Sequence, residues 1–341
     1  MPISRNSDDY HDLSMNTVAF RPAGSVVAAV ARTAAYANEY PDMAAAELTA
    51  AVARWLGVPS GYLTFGPGSA ALCQIALLAW CGPGAEVVHQ WPSFEAYPMM
   101  IEQVHATSVA VALRDTETDI GDIAAAVTDR TRMVLLCNPN NPTGAVLRQD
   151  RIRRLLSLLP EHVTVLVDEA YRDFVLSPGY RDAVEIVADD PRVAVLRTFS
   201  KSFGLAGLRV GYLIAQPVLT AKLAAARMFF AVSAPAQAAA VAAVERVAEM
   251  RERCAAVGAE RARLRGLLRE QGWAVPLSHA NFLWLPTPQA TEFAGHCAEY
   301  GVAVRAWPGR GVRVTVGAPA SNDVFAGLAA EFIALPRAVA R

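Results

Sequence analysis

The chain has 341 residues, 53% of them hydrophobic, which is enough apolar content to bury one large domain with a smaller partner. Its 31 basic and 32 acidic side chains leave a formal net charge of -1, so no basic field is available to hold a nucleic-acid backbone. The N-terminus MPISRNSDDYHDLSMN is polar and acidic, without a secretory pattern, and the most apolar runs are broken by charge or proline before they could span a bilayer.

Residues 1–35 show no convincing periodicity until PAGSVVAAVAR and are expected to form an arm. From about Tyr40 the pattern alternates. ELTAAVARWLG and SAALCQIALLAW read as helices, AEVVHQ and SVAVAL as strands. RMVLLC, VTVLV and VAVLR predict buried strands, with the amphipathic helix LRQDRIRRLLSLL between the first two. Strands separated by helices need crossover connections, so residues 36–235 are expected to form a large α/β domain whose mostly parallel sheet is covered by helices. Near Pro235 the texture shifts to a long helix through AERARLRGLLREQGW and then to the short strands NFLWLP, VAVRAW and GVRVTVG. Residues 236–341 are therefore expected to form a smaller α+β domain. The cysteines, Cys73, Cys81, Cys137, Cys254 and Cys297, are scattered and odd in number, which argues against a disulfide framework and fits a reduced, cytoplasmic setting.

In an open α/β sheet, ligands bind beyond the carboxyl ends of the strands. Here those positions are polar. RMVLLC runs into Asn138-Pro139-Asn140-Asn141-Pro142-Thr143-Gly144, VTVLV into Asp168-Glu169-Ala170-Tyr171, and VAVLR into Thr198-Phe199-Ser200-Lys201. The turn Gly66-Pro67-Gly68-Ser69 opens a helix, where unpaired N–H groups and the helix dipole favour an anion. An amine, a carboxylate, an amide, a phenol and an anion cradle together suit pyridoxal phosphate. The amine forms a Schiff base, and a carboxylate on the pyridine nitrogen lets the ring accept the electrons left by the substrate's α-proton.

Other readings of the same residues stay open at this point. Asp168-Glu169 would serve as a Mg²⁺ site in a nucleotide hydrolase, but no glycine-rich loop ending in Lys-Ser or Lys-Thr is present. GPGSAA loosely matches a dinucleotide fingerprint, yet the following strand AEVVHQ ends in His89-Gln90 rather than in an acid for the ribose. Lys201 by itself would be a surface lysine.

RTFSKSFGLAGLRVGY at residues 197–212 resembles the cofactor-lysine segment of class I/II aminotransferases of the type I pyridoxal phosphate fold, closest to the histidinol-phosphate aminotransferase family. NPNNPTG at 138–144 and VDEAYRDF at 167–174 resemble other signatures of that family, in the same order and spacing. The resemblance implies that Lys201 carries the cofactor and moves the substrate proton, that Asp168 pairs with the pyridine nitrogen, and that Asn141 and Tyr171 bond the ring's phenolic oxygen. It implies that Arg209, Ser200 and Thr198 hold the phosphate with the N–H groups of Ser69 and Ala70. Phe94 takes the place of a ring-stacking tyrosine. Tyr40 would reach the phosphate of a neighbouring subunit, which implies a homodimer. Arg313 matches the carboxylate-binding arginine and Arg305 a second arginine near the substrate, with Asn141 beside them.

Departures from the family fall on the substrate side. Leu13-Ser14-Met15-Asn16-Thr17-Val18-Ala19-Phe20 replaces an Asn-Glu-Asn-Pro-like stretch, Gly68-Ser69-Ala70-Ala71 a Gly-Ser-Asp-Glu-like turn, and Phe229-Phe230-Ala231-Val232 a Tyr-Asn-Val segment. The lost acids, with Phe20, Phe94, Phe229 and Phe230 as candidate pocket walls, point to a hydrophobic or aromatic substrate instead of histidinol phosphate. The expected activity is amino transfer between an amino acid, or an amino-alcohol phosphate, and a 2-oxo acid or related carbonyl. Alternatives are decarboxylation or elimination on the same cofactor, a nicotinamide-dependent oxidoreductase built on GPGSAA, and a catalytically silent cofactor-binding protein. No metal is invoked.

Overall fold

The computed structural model describes residues 10–334; residues 1–9 of the expected arm and 335–341 of the expected C-terminal domain lie outside them. The chain enters through β1 (His11–Asp12), α1 (Gly24–Ala34), α2 (Ala46–Leu56), β2 (Leu63–Gly66), α3 (Ser69–Trp80), β3 (Glu86–Trp91), α4 (Ala96–Gln103), β4 (Thr107–Ala112), α5 (Ile120–Ala125) and β5 (Thr131–Cys137). It continues with α6 (Gln149–Leu158), β6 (Thr164–Asp168), α7 (Val184–Asp189), β7 (Val193–Thr198), β8 (Gly211–Ala215) and α8 (Pro217–Ala226). The rest comprises α9 (Ala234–Val244), α10 (Val247–Glu270), β9 (Phe282–Pro286), α11 (Ala290–Glu299), β10 (Val302–Ala303), β11 (Arg305–Trp307), β12 (Gly311–Thr315) and α12 (Pro319–Ala334).

The main sheet has seven strands in the order β2-β8-β7-β6-β5-β3-β4. Strands β3 to β7 pair in parallel, while β8 runs antiparallel to both β7 and β2. The expected α/β fold with a mostly parallel sheet is thus present. Along β5, Val134 and Leu136 enter one core while Met133, Leu135 and Cys137 enter the other, as a period of two requires. Helices α1, α2, α5, α6, α7 and α9 cover the first face and α3, α4 and α8 the second, so the central strands β5, β6 and β7 read as nearly continuous apolar runs, while the edge strand β4 stays partly exposed. Strands β2 and β8 carry no signal of their own: LTFG and GYLIA are short, and β8 is buried on both faces, so neither alternates.

The single long helix expected after Pro235 is two. Ser233 caps α9 by accepting from the Ala236 N–H at 3.4 Å, and Arg246 leaves helical geometry before α10 begins. Strands β11, β12 and β9 form an antiparallel sheet with its own core of Leu264, Leu268, Trp273, Phe293 and Phe325. Leu13 of the arm joins that core, and β1 pairs in parallel with β10. Met250 and Cys254 of α10 pack with the main core and Leu264 with the small one, so this helix contributes to both. Among the described residues, no helix is long and apolar enough to cross a membrane.

One close approach ties the fold to the site. A Cβ on Gly211 would lie 2.7 Å from the Ser69 backbone nitrogen and 2.9 Å from the Arg197 carbonyl oxygen, so glycine alone lets the start of α3 meet the β7–β8 edge. Gly211→Ala is expected to destabilise the fold by about 1–3 kcal/mol, seen as a lower denaturant midpoint at unchanged slope.

Candidate active site

Strands β5, β6 and β7 end side by side, and the segments beyond them deliver Asn141, Asp168, Tyr171 and Lys201 to one place. The Lys201 amine donates to the carbonyl oxygens of Met15 and Asn16, at 3.1 Å each, and stands 5.7 Å from the centre of the Tyr171 ring. Burial, then the Arg313 and Arg209 guanidiniums, push its pKa down from 10.5 to about 7, against the opposing pull of Asp168. The amine is therefore part neutral near neutrality, as a nucleophile and proton carrier must be.

Asp168 accepts from the Tyr97 hydroxyl at 2.9 Å and from the Ala170 N–H at 3.1 Å. Burial raises its pKa above the ordinary carboxylate value, and those two donors together with Lys201 hold the rise back. Its neighbour Glu169 turns away from the amine and accepts from Arg197 at 2.8 and 3.1 Å and from the Ala183 N–H at 2.8 Å. Of the adjacent acids, Asp168 thus belongs to the site and Glu169 to a buried ion pair.

Tyr171 accepts from the Asn16 side-chain amide at 2.9 Å, and burial pushes its phenol up to about 12, so it stays protonated and can donate. Arg313 donates through Nη1 to the Asn141 side-chain oxygen at 2.6 Å and through Nη2 to the Ser14 carbonyl oxygen. With its oxygen on Arg313, Asn141 has its amide NH₂ to offer elsewhere. The Arg313 guanidinium lies over the rings of Phe282 and Trp307, and its Nε is buried without a partner.

The cradle lies where α3 starts. No side chain caps that helix. Arg209 donates to the Ser200 hydroxyl at 3.3 Å and the Ala206 carbonyl at 2.9 Å, with Nη2 3.5 Å from the Pro67 carbonyl. Gly68 has φ +95°, a conformation that favours glycine, and a Cβ there would lie 2.5 Å from Arg209 Nη2, so a side chain at this turn would push the guanidinium from its present place. Thr198 accepts from the Ser200 N–H at 3.1 Å. Arg209 itself has φ 53°, in the left-handed region where non-glycine residues are uncommon and tend to mark functional places.

Other sequence candidates fall elsewhere. Phe94 meets Tyr97, the residue that bonds Asp168, edge-on at 5.4 Å. Tyr40 is 83% exposed and stacks on Phe230 at 4.6 Å, so within its own chain it does not join the cradle. Phe229 is exposed, and Phe20 packs under Arg253 at 4.8 Å; neither they nor Phe230 make a contact that would place them beside Lys201. Aromatic spacing alone had no means of separating walls from surface. Arg305 is exposed and paired with Glu95.

Two participants carry too little sequence signal to stand out. Tyr97 is fully buried on α4 and reads as a core aromatic. Asn16 is one polar residue in a patternless arm, yet it is 1% exposed, has φ 54°, and takes its backbone N–H to the Thr315 hydroxyl at 2.9 Å while its carbonyl accepts from Asn281 at 3.0 Å. The stretch from Leu13 to Asn16, although it departs from the family pattern, still lies over Lys201 and Arg313.

Residues 8–328 match the family model for aminotransferase class I and II. The chain belongs to the class I and II aminotransferases. An aromatic amino acid aminotransferase of Thermobifida fusca is 49% identical over 92% of this chain and 88% of its own, and one of Streptomyces coelicolor is 44% identical over 97% and 93%. A histidinol-phosphate aminotransferase from Sinorhizobium meliloti, solved with pyridoxal 5'-phosphate, superposes with a TM-score of 0.88 at 27% identity, covering 95% of this chain and 90% of that one.

This aminotransferase uses pyridoxal 5'-phosphate. The fit is physical: a cationic cradle at an uncapped helix start, an amine held near neutrality and a buried carboxylate are the donor set that the cofactor's phosphate, carbonyl and ring nitrogen need. Family membership also removes the nicotinamide reading of GPGSAA. Tyr97→Phe is expected to raise the Asp168 pKa further and to lower kcat about tenfold with smaller change in KM, because a hydrogen bond to a charged group contributes about 1.5–3 kcal/mol. Steady-state kinetics at saturating cofactor check it.

Proposed function

We propose that this aminotransferase moves the amino group of an aromatic amino acid to a 2-oxo acid acceptor. The observation that carries the reading is the state of its two candidate arginines: Arg313 faces the site between the rings of Phe282 and Trp307, while Arg305 is taken up by Glu95. One guanidinium fork beside apolar walls suits an amino acid with one carboxylate and a neutral ring. The names borne by the Thermobifida and Streptomyces relatives support the same substrate class.

The residue roles follow the geometry. Bound pyridoxal phosphate supplies the electron sink for the substrate's α-carbon. Lys201 Nζ takes the α-proton in its neutral form and returns it in its charged form. Asp168 would keep a proton on the ring nitrogen, and Tyr171 and the Asn141 amide would donate to the phenolic oxygen. Arg209, Ser200, Thr198 and the N–H groups of Ser69 and Ala70 would hold the phosphate, with Phe94 against the ring. Arg313 would bind the substrate carboxylate, displacing the Ser14 carbonyl that it now holds.

A second copy of the chain is the proposed partner. Tyr40, Met43, Met228 and Phe230 are exposed and lie together, Tyr40 stacked on Phe230 and the two methionines lining the same cleft as that ring, an apolar grouping of the kind that marks an interaction surface. Packed against a second copy, Tyr40 would be free to reach the partner's cradle. The five cysteines are unpaired, which supports a reducing, cytoplasmic setting.

A single-turnover screen of amino donors tests the substrate class. Phenylalanine, tyrosine and tryptophan are expected to convert the cofactor at least tenfold faster than histidinol phosphate, and preference for phosphate-bearing donors, or carbon dioxide release without an acceptor, would contradict the reading. Light scattering is expected to give the mass of a dimer.

A further inference from the structure

The Arg305–Glu95 pair spans from the small sheet to the start of α4. The Arg305 Nε lies 3.0 and 3.3 Å from the two carboxylate oxygens, and its Nη2 lies 3.1 Å from Oε1 and 2.9 Å from Oε2. The guanidinium fork therefore meets both carboxylate oxygens, the geometry it would otherwise offer to a substrate carboxylate or phosphate.

Position makes this more than a surface ion pair. Arg305 stands directly opposite Arg313 in the β11–β12 register, so the two side chains leave the same face of the sheet as cross-strand neighbours. Glu95 follows Phe94 and precedes α4, the helix from which Tyr97 bonds Asp168. The pair thus sits at the rim between the arginine that faces the site and the segment that carries the ring-stacking candidate. Two uncommitted guanidiniums on one face would suit a substrate with a second anionic group; with Glu95 in place, Arg313 alone is on offer.

We propose that Glu95 is a specificity-determining residue, withdrawing Arg305 from substrates that carry a second anionic group. The inference rests on the proposed aromatic specificity and gives it a cause: discrimination comes from a competing carboxylate already seated in the second fork, as well as from apolar walls around the first. Both partners are partly exposed, with side-chain exposures of 53% and 39%, so solvent screens the pair and added salt weakens whatever Arg305 does once released.

The test is a double-mutant cycle on the cofactor-loaded enzyme with Glu95→Gln, Arg305→Gln and the combined variant. Single-turnover rate constants over dissociation constants are measured for L-aspartate and L-phenylalanine. Glu95→Gln is expected to raise the aspartate-to-phenylalanine ratio about tenfold, with the gain shrinking as salt is added and vanishing in the combined variant. A ratio within threefold of the unsubstituted enzyme, or a gain that survives loss of Arg305, overturns the proposal. Should the unsubstituted enzyme turn over no aromatic donor, the substrate reading fails by itself, and the Glu95 ratio is then taken against the fastest neutral donor.

Discussion

Positive charge crowded around one amine is the constraint on which the site depends. Lys201, Arg209 and Arg313 are gathered near the carboxylate of Asp168, and burial first, then repulsion from the two guanidiniums, brings the Lys201 amine down toward neutrality. Such a cluster is costly to assemble without an anion to satisfy it. Within the chain, backbone oxygens meet part of that need: the Met15 and Asn16 carbonyls accept from Lys201, Ser14 accepts from Arg313, and Ala206 from Arg209. On the proposed residue roles, the phosphate and the substrate carboxylate would replace those oxygens, and binding energy and pKa control would come from the same charges.

The architecture serves this crowd in two ways. Three adjacent parallel strands at the centre of the sheet present amide, acid, phenol and amine beyond their carboxyl ends. The small unit and the arm then bring in what the sheet cannot: Arg313 from β12, and Asn16 locked between Tyr171, Thr315 and Asn281. Asn16 in a left-handed conformation turns its carbonyl to Lys201 while its side chain meets the phenol, a conformation asparagine tolerates better than most residues.

Most of the strand-end chemistry was legible because those residues occupy continuous motifs, and buried parallel strands announce themselves as apolar runs. Lys201, Asp168, Tyr171, Asn141 and Arg209 all come together as the strand order implies. What escaped was whatever depends on distance in the chain. Tyr97 looks like core until its hydroxyl is seen on Asp168, and Asn16 gains meaning only from partners 155 to 299 residues away. Phe20, Phe229 and Phe230 were not separable by sequence either, since an apolar ring reads the same in a pocket wall and on a surface, and within one chain they pack away from Lys201. The break between α9 and α10 was hidden because no glycine or proline marks it and Glu245 and Arg246 are themselves good helix formers.

The most direct test of the central claim is the titration of the Lys201 amine itself, followed by carbon-13 lysine NMR in the cofactor-free protein and in Arg313→Met. The amine is expected to lose its proton with a midpoint near 7, so that its neutral fraction rises through neutral pH, and the midpoint should move up when the Arg313 charge is removed. A midpoint near that of an ordinary lysine in the unsubstituted protein, or one unmoved by loss of Arg313, would contradict the account.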